Sequence, residues 1–365
     1  MNITKMSNLL RMIAFFLTAI ILCCTFGFTV DGWFEDASSD NPNNGYENNW
    51  DENNSENITV PDNTSPPTEP IVYYNQFTGL ICTEEEYNSI FISYILDQNT
   101  TYGLSQADVI IEIPIENDKT RLIAVAKETS VFNKIGSFAP MRDDFFDFVS
   151  TFSDISFSYG YDDNLYPDIN CEKVSYIDLK SVGYNYSEFG EYIFTSSELL
   201  DVAIESLEID TSISQRDYNL FNFYDNENIS DLQKSDASVI KIHYSPENNL
   251  SFIYNDKLGE YILYKNDVKV FDQTSGRDLY FANCLVLFSD FTTYETMSYT
   301  QSVISSTEGK GLYFTQSGVM ELSWSIDTNG DISFCNKQSV PIVLNRGKTY
   351  ISVVKSSKVH NLEYK

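Results

Sequence analysis

The sequence predicts an α+β protein, with an N-terminal α+β domain followed by a β-rich, mainly antiparallel C-terminal domain. Aromatic residues are 15% of the chain, with 25 Tyr and 25 Phe, and Ile, Val and Thr are plentiful; such side chains suit a pleated, half-buried surface. In the first half, apolar runs of strand length alternate with stretches of helical period, whereas in the second half strand-like runs follow one another with turn residues between them. The length of 365 residues exceeds one ordinary domain of roughly 100 to 200 residues, which predicts two folded units plus accessory segments.

The first accessory segment spans residues 1–30. Lys5 and Arg11 precede nineteen uncharged, mostly apolar residues from Met12 to Val30. That length matches a bilayer span and the positive flank belongs on the cytoplasmic side, so the segment reads as membrane-targeting and the folded part as extracytoplasmic. Three readings stay open: an uncleaved signal-anchor, a lipoprotein-like signal acylated at Cys23 or Cys24, and a cleaved secretory signal. Neither cysteine is preceded by a small residue of the usual kind, since Leu22 precedes Cys23 and Cys23 precedes Cys24. Residues 31–70 carry ten acidic residues, no Lys or Arg, and end in Pro66, Pro67 and Pro70. Such a segment cannot bury enough apolar area to fold and reads as a disordered acidic tether.

The N-terminal domain is assigned to residues 71–225. Ser89 to Leu96 is apolar enough for a buried strand or one side of a helix. Val109 to Ile115 and Arg121 to Lys127 read as a hairpin closed by Glu116-Asn117-Asp118-Lys119. Phe145, Phe148, Val149 and Phe152 form one helical stripe, and Leu199, Leu200, Ala203, Ile204 and Leu207 another, with Thr195 and Glu198 at capping-box spacing. Both helices are expected on one face of a small sheet. Tyr159 to Asp168 and Tyr184 to Glu191 are tyrosine-rich acidic stretches, read as surface loops or as contact surfaces.

Asn226 to Ser235 is polar and joins the halves. In the C-terminal domain, residues 236–365, runs such as Val239–Tyr244, Leu250–Tyr254, Ala282–Phe288, Val319–Ile326 and Thr349–Val354 predict antiparallel strands. Pro341 cannot donate to a ladder, which puts its strand on an edge. Asp327-Thr328-Asn329-Gly330-Asp331 resembles the opening of a calcium loop but has no later bidentate Glu, and Asn-Gly between strands is a tight hairpin turn.

The net charge of -30 and pI near 4.2 repel phosphate backbones, so nucleic acid is excluded as a partner, and membrane contact must come from apolar insertion. Cys82, Cys171, Cys284 and Cys335 have no metal-ligand spacing and are read as disulfides or free buried thiols. The two histidines, His243 and His360, both lie in the C-terminal half, so a histidine-based nucleophile within the N-terminal half is excluded. His243 lies in a predicted strand and reads as a hydrogen-bonded structural residue. No metal or other cofactor is expected. Arg121 and Arg142 stand at the edges of apolar runs, where a planar fork of donors suits a carboxylate. Asp108 and Glu112 are their expected partners, either in an ion pair tying the following helix to the hairpin or in a site for an anionic ligand. The partners expected are the membrane and a cell-wall or protein ligand.

Phe77-Thr78-Gly79-Leu80, Gly103-Leu104-Ser105-Gln106-Ala107-Asp108, Glu112, Thr120-Arg121, Ile135-Gly136 and Arg142 resemble the N-terminal domain of the YerB-like family of bacterial surface lipoproteins. Gly259 to Tyr261, Asp272, Asn283, Gly309 to Phe314, Trp324 and the run Leu344 to Ile351 are similar to that family's second domain. The resemblance implies a surface address and a two-part architecture rather than a reaction. Departures from the pattern are Ala139, Ser158 and Leu263, where the family carries Arg, His and Arg, and Gly190-Glu191-Tyr192 in place of Pro-His-Asn. If those polar residues form the family's site, this chain has lost much of it. The reading favours a binding or envelope-associated module without catalysis; the alternative is an envelope enzyme acting on wall polymers through carboxylates.

Overall fold

Runs buried on both faces build the centre of the molecule. A computed structural model describes residues 71–161, 174–188, 190–211, 218, 220–224, 237–295 and 300–365. Its principal strands are β1 (Phe91–Asp97), β2 (Val109–Pro114), β3 (Thr120–Lys127), β4 (Ile155–Ser158), β5 (Ser175–Asp178), β6 (Val239–Ser245), β7 (Asn248–Asn255), β8 (Glu260–Lys265), β9 (Asn283–Ser289), β10 (Glu308–Thr315), β11 (Gly318–Ile326), β12 (Ile332–Asn336), β13 (Thr349–Lys355) and β14 (Leu362–Tyr364). Two helices matter for packing, α1 (Phe146–Phe152) and α2 (Ser197–Ser206).

Ten strands form one sheet in the order β12-β11-β10-β9-β13-β2-β3-β1-β4-β5. Strands from both halves therefore share it, and residues 69–365 make one compact unit. The join is β13 against β2, parallel, with Thr349 opposite Val109 and Ser352 opposite Glu112. On its other side β13 is parallel to β9. The C-terminal half is strand-rich and mostly antiparallel, as its turn signals predict, but β13 departs from that pattern. Its sequence, TYISVVK, is buried to the last residue, the continuous apolar run that a strand covered on both faces requires.

Alternation divides the core. Ile110 and Leu122, Cys284 and Val286, and Tyr350 face one side; Ile111, Ile113 and Ile123, Leu285 and Leu287, and Ile351 and Val353 face the other. On the first face lies a second sheet, β8-β7-β6-β14 extended by Val268–Lys269, contributing Ile240, Ile242, Leu250, Phe252 and Leu263. The same face takes α2 through Leu200, Ala203 and Ile204, whereas α1 covers the opposite face through Phe148, Val149 and Phe152. The helices thus sit on opposite faces of a large sheet, not on one face of a small one.

Several local expectations are met. Of the two readings of Ser89 to Leu96 the strand holds, over Phe91–Asp97, β2 and β3 form the expected hairpin, and Asp327 Oδ1 closes the 327–331 turn by accepting from the Asn329 and Asp331 amides at 2.8 and 2.9 Å. His243 Nδ1 contacts Asn249 Oδ1 at 2.7 Å, the structural role expected of it. Cys82, Cys284 and Cys335 are free. The capping box at Thr195 does not form: Ser196 is the N-cap, and the Thr195 hydroxyl donates instead to the Tyr184 carbonyl at 2.7 Å. Residues 1–70, Cys171, most of Tyr159–Asp168 and the Asn226–Ser235 joint lie outside the described residues.

Candidate functional site

The turn from Gly103 to Gln106 is a short 3-10 helix entered through a left-handed residue, Gly103, at φ 84°. A Cβ there would stand 3.0 Å from Ile135 and Phe132, so glycine is required twice over. The turn is gripped by the C-terminal half. Asp272 accepts from the Gly103 amide at 3.1 Å and the Ser105 amide at 2.8 Å, and its Oδ1 also from Thr274 N at 2.7 Å. Burial pushes the Asp272 carboxyl up, but donors from Ser105, Gly103 and Thr274 outweigh it and hold the group below the usual carboxylate range.

This grip sets Leu104 on a ridge between two crevices, both of which it lines. The first, of about 340 Å³, opens between the two sheets. Val268, 68% exposed, and Phe271, 49% exposed, mark its mouth, and Glu112 and Tyr350, at 1% and 2%, its floor. Its walls include Ile110, Leu122, Leu250 and Leu263, and the lining is mostly apolar with a few convergent polar groups, the usual make-up of a ligand site.

The polar groups form a chain. Thr120 Oγ1 donates to Glu112 Oε1 at 2.5 Å, and the Tyr350 hydroxyl donates to Glu112 Oε2. Asn248 Nδ2 donates to Thr120 Oγ1 at 3.0 Å and lies 3.3 Å from Gln98 Oε1, which accepts from the Thr120 amide at 2.8 Å. Among the described residues no cation forms a salt bridge with Glu112, and the buried Asn248 Oδ1 has no donor. Burial beside Glu112 raises the Tyr350 hydroxyl well above its ordinary value, so it stays protonated and donates.

The second crevice, about 460 Å³, is lined by Ser105, Glu260, Arg277, Asp278, Gly347 and Lys348 among others. Lys348 donates to the Ser105 carbonyl, and burial lowers its pKa against the pull of Asp108 and Glu260. Gly347 donates to the Thr78 carbonyl at 2.7 Å, and Arg346 Nη1 to the Gly79 carbonyl at 2.5 Å. The motif runs of the two halves thus hydrogen-bond to one another along this wall.

The four predicted site residues do not converge. Glu112 and Arg121 lie on the paired strands β2 and β3 one register position apart, Glu112 opposite Leu122 and Arg121 opposite Ile113, and so point to opposite faces, Glu112 into the first crevice and Arg121 toward the α1 side, where its Nη1 donates to the Pro140 carbonyl at 2.9 Å. Arg142 is fully buried: Nη1 meets Glu116 Oε2 at 2.8 Å, Nε meets Asp144 Oδ1 at 3.1 Å, and Nη2 donates to the Ser302 carbonyl at 2.7 Å. It ties the hairpin turn to the start of the helix, with Glu116 and Asp144 in the places expected of Asp108 and Glu112. Asp108 lies at the opposite end of β2 from the hairpin turn, accepting from Asn75 Nδ2 at 2.9 Å; burial pushes its carboxyl up. Tyr350, Thr120, Gln98 and Asn248 escaped the sequence reading. Tyr350 and Thr120 stood inside the motif runs, but only the β13–β2 register brings Tyr350 to Glu112. Among the described residues no group of three or more His, Cys, Asp or Glu is placed to hold a metal ion. Cys23 and Cys24 lie outside the described residues.

Residues 77–201 match the family described as protein of unknown function (DUF3048) N-terminal domain, and residues 240–351 its C-terminal domain. No curated protein matches the chain. The fold is similar to the crystal structure of YerB protein from Bacillus subtilis, at 18% identity and a TM-score of 0.68, over 80% of this chain and 99% of that one. With both family domains matched in order and the fold shared across nearly all of YerB, the chain belongs to the DUF3048 family as a YerB-like member.

Proposed function

We propose that this protein is an envelope-associated binding module, held at the membrane by its N-terminal segment and taking its ligand into the crevice between the two sheets. The observation that carries this reading is the crevice floor. Glycoside hydrolysis through carboxyls requires two, about 5 to 10 Å apart across the bond. The first crevice is lined by one, Glu112, whose two oxygens are already hydrogen-bonded. A site with an apolar wall and one carboxyl can select a ligand; it lacks the second carboxyl that hydrolysis of this kind requires. The uncharged run from Met12 to Val30 supports the membrane address, and no helix among the described residues is long and apolar enough to cross a membrane.

A second reading, an enzyme acting on wall polymers, is favoured by Glu260 and Asp278, which both line the second crevice. Asp278 is already engaged by Lys269 and by the Tyr280 hydroxyl, each at 2.8 Å, which argues against its working as an acid or base. One experiment separates the two. Membranes carrying the full-length protein are incubated with purified cell wall after protease shaving of intact cells has established the side exposed. Retention of wall with no soluble fragments is expected; released fragments establish the enzyme, and recovery of the protein from the cytosol overturns the membrane address.

A further inference from the structure

We infer that the first crevice takes a primary ammonium carried on a flexible apolar stem, with Glu112 as its counter-charge. This deepens the binding reading and rests on it. The argument is a balance of donors and acceptors at the crevice floor. On the lining, Glu112 offers two carboxylate oxygens, Gln98 a carbonyl and an amide, and Tyr350 a hydroxyl; Thr120 and Asn248, which do not line the crevice, complete the network by donating to Glu112 and to Thr120. Thr120 has one proton, and at 2.5 Å it is committed to Glu112 rather than to Gln98, 3.2 Å away. Each carboxylate oxygen can accept a further bond, and Asn248 Oδ1 has none. The network leaves one buried acceptor, Asn248 Oδ1, without a donor, and no cation among the described residues forms a salt bridge with Glu112.

A buried carboxylate without a cation is costly, and such groups concentrate where a ligand supplies what the protein withholds. An alkylammonium supplies both, with three donors on one centre. The walls specify the rest of the ligand. Ile110, Leu122, Leu250 and Leu263 offer contact for methylenes and nothing to bond a polar stem. The volume of about 340 Å³ stands near the lower limit of small-ligand sites, which fits one side chain or a small amine rather than a polymer segment. Two lysines line the same crevice, but their heads are occupied: Lys265 Nζ donates to the Gln98 carbonyl at 2.5 Å, and Lys269 pairs with Asp278 at 2.8 Å. They contribute stems to the lining. The net charge of -30 draws cations toward the surface in the first place.

The source of the ammonium, a free alkylamine or a lysine residue in a peptide, is separated by the probes. Full-length protein in detergent is titrated calorimetrically with n-pentylamine, with n-pentanol, and with the capped tripeptides Ala-Lys-Ala and Ala-norleucine-Ala. Both amine probes, or the lysine peptide alone, are expected to bind roughly thirtyfold or more tightly than their neutral counterparts, the discrimination of a buried charge pair. Glu112→Gln should erase that preference while keeping a cooperative melt. Should Glu112→Gln not fold, Thr101→Trp, at a half-buried position on the lining, should abolish amine binding with Glu112 intact. Selective binding of pentylamine alone marks a free alkylamine as the source; no preference for either amine probe over its neutral counterpart, or no binding of either amine, overturns the inference. Wall retention that persists in Glu112→Gln and in excess pentylamine also overturns it, while leaving the protein a binder through another surface.

Discussion

Arg142 is a fully buried charge whose ion pairs make it decisive for stability. Burial works against its charge, yet Asp144 and Glu116 outweigh that and raise its pKa, while Arg142 in turn holds Glu116 below the usual carboxylate range. Removing one partner of such a group leaves the others uncompensated. Arg142→Met should therefore lower stability by about 3 to 5 kcal/mol in denaturant unfolding, and Arg142→Lys should recover little, because an ammonium cannot reproduce three bonds in a planar fork. A loss under about 1 kcal/mol would show that the pair is screened by water. The sequence made Arg142 conspicuous because a guanidinium stood between apolar runs. Its partners were not legible. Glu116 is 26 residues away and Asp144 two, and nothing in strand alternation distinguishes them from Asp108 or Glu112 until the turn and the helix start are placed.

At the scale of elements, Thr83–Glu86 and Thr195–Glu198 share the spacing of a capping box, and of these two the first forms it. Thr83 caps Glu84–Asn88: its Oγ1 accepts from the Glu86 amide at 3.1 Å, and the Glu86 carboxylate accepts from the Thr83 amide at 2.8 Å. Thr195 is instead a buried strand residue opposite Ile135, with its hydroxyl spent on Tyr184. Thr83→Ala should thus weaken its turn by about 1 kcal/mol, read as faster hydrogen exchange at the Tyr87 amide, which donates to the Thr83 carbonyl. Ser196→Ala should change α2 by no more than a few tenths, since the Ser196 side chain makes no cap bond. Most strands and helix stripes were readable because periods of 2 and 3.6 survive in any context, but Ser89 to Leu96 fitted either a strand or a helix, and Leu207 of the second stripe is an exposed cap residue. Pairing was not. The run TYISVVK looks the same whether its neighbours are parallel or antiparallel, and its place beside β2 depends on residues 240 positions away in sequence. The crevice floor was half legible for that reason: Glu112 could be named, but Tyr350 reaches it only through register.

For the whole molecule, the shared sheet governs what can be separated. Residues 71–225 and 236–365, read from sequence as two domains, contribute to one set of hydrogen bonds through β13 and β2, and Asp272, Arg142 and Arg346 each bridge the halves by further bonds. Expressed apart, the two stretches should each show no cooperative thermal transition by circular dichroism, and mixing them should restore one; a cooperative melt of either alone would show self-sufficient domains. The position of β13 also fixes a sequence of events during biogenesis. Of the ten strands of the large sheet it comes last in sequence, yet it fills the centre. Until it arrives, β2 and β9 present unpaired edges toward each other, and any chain shortened before residue 349 keeps two open edges able to capture foreign strands. The chain must be made as far as residue 355 before the sheet can close; the central strand serves as a late keystone that withholds the native state from chains shortened before it.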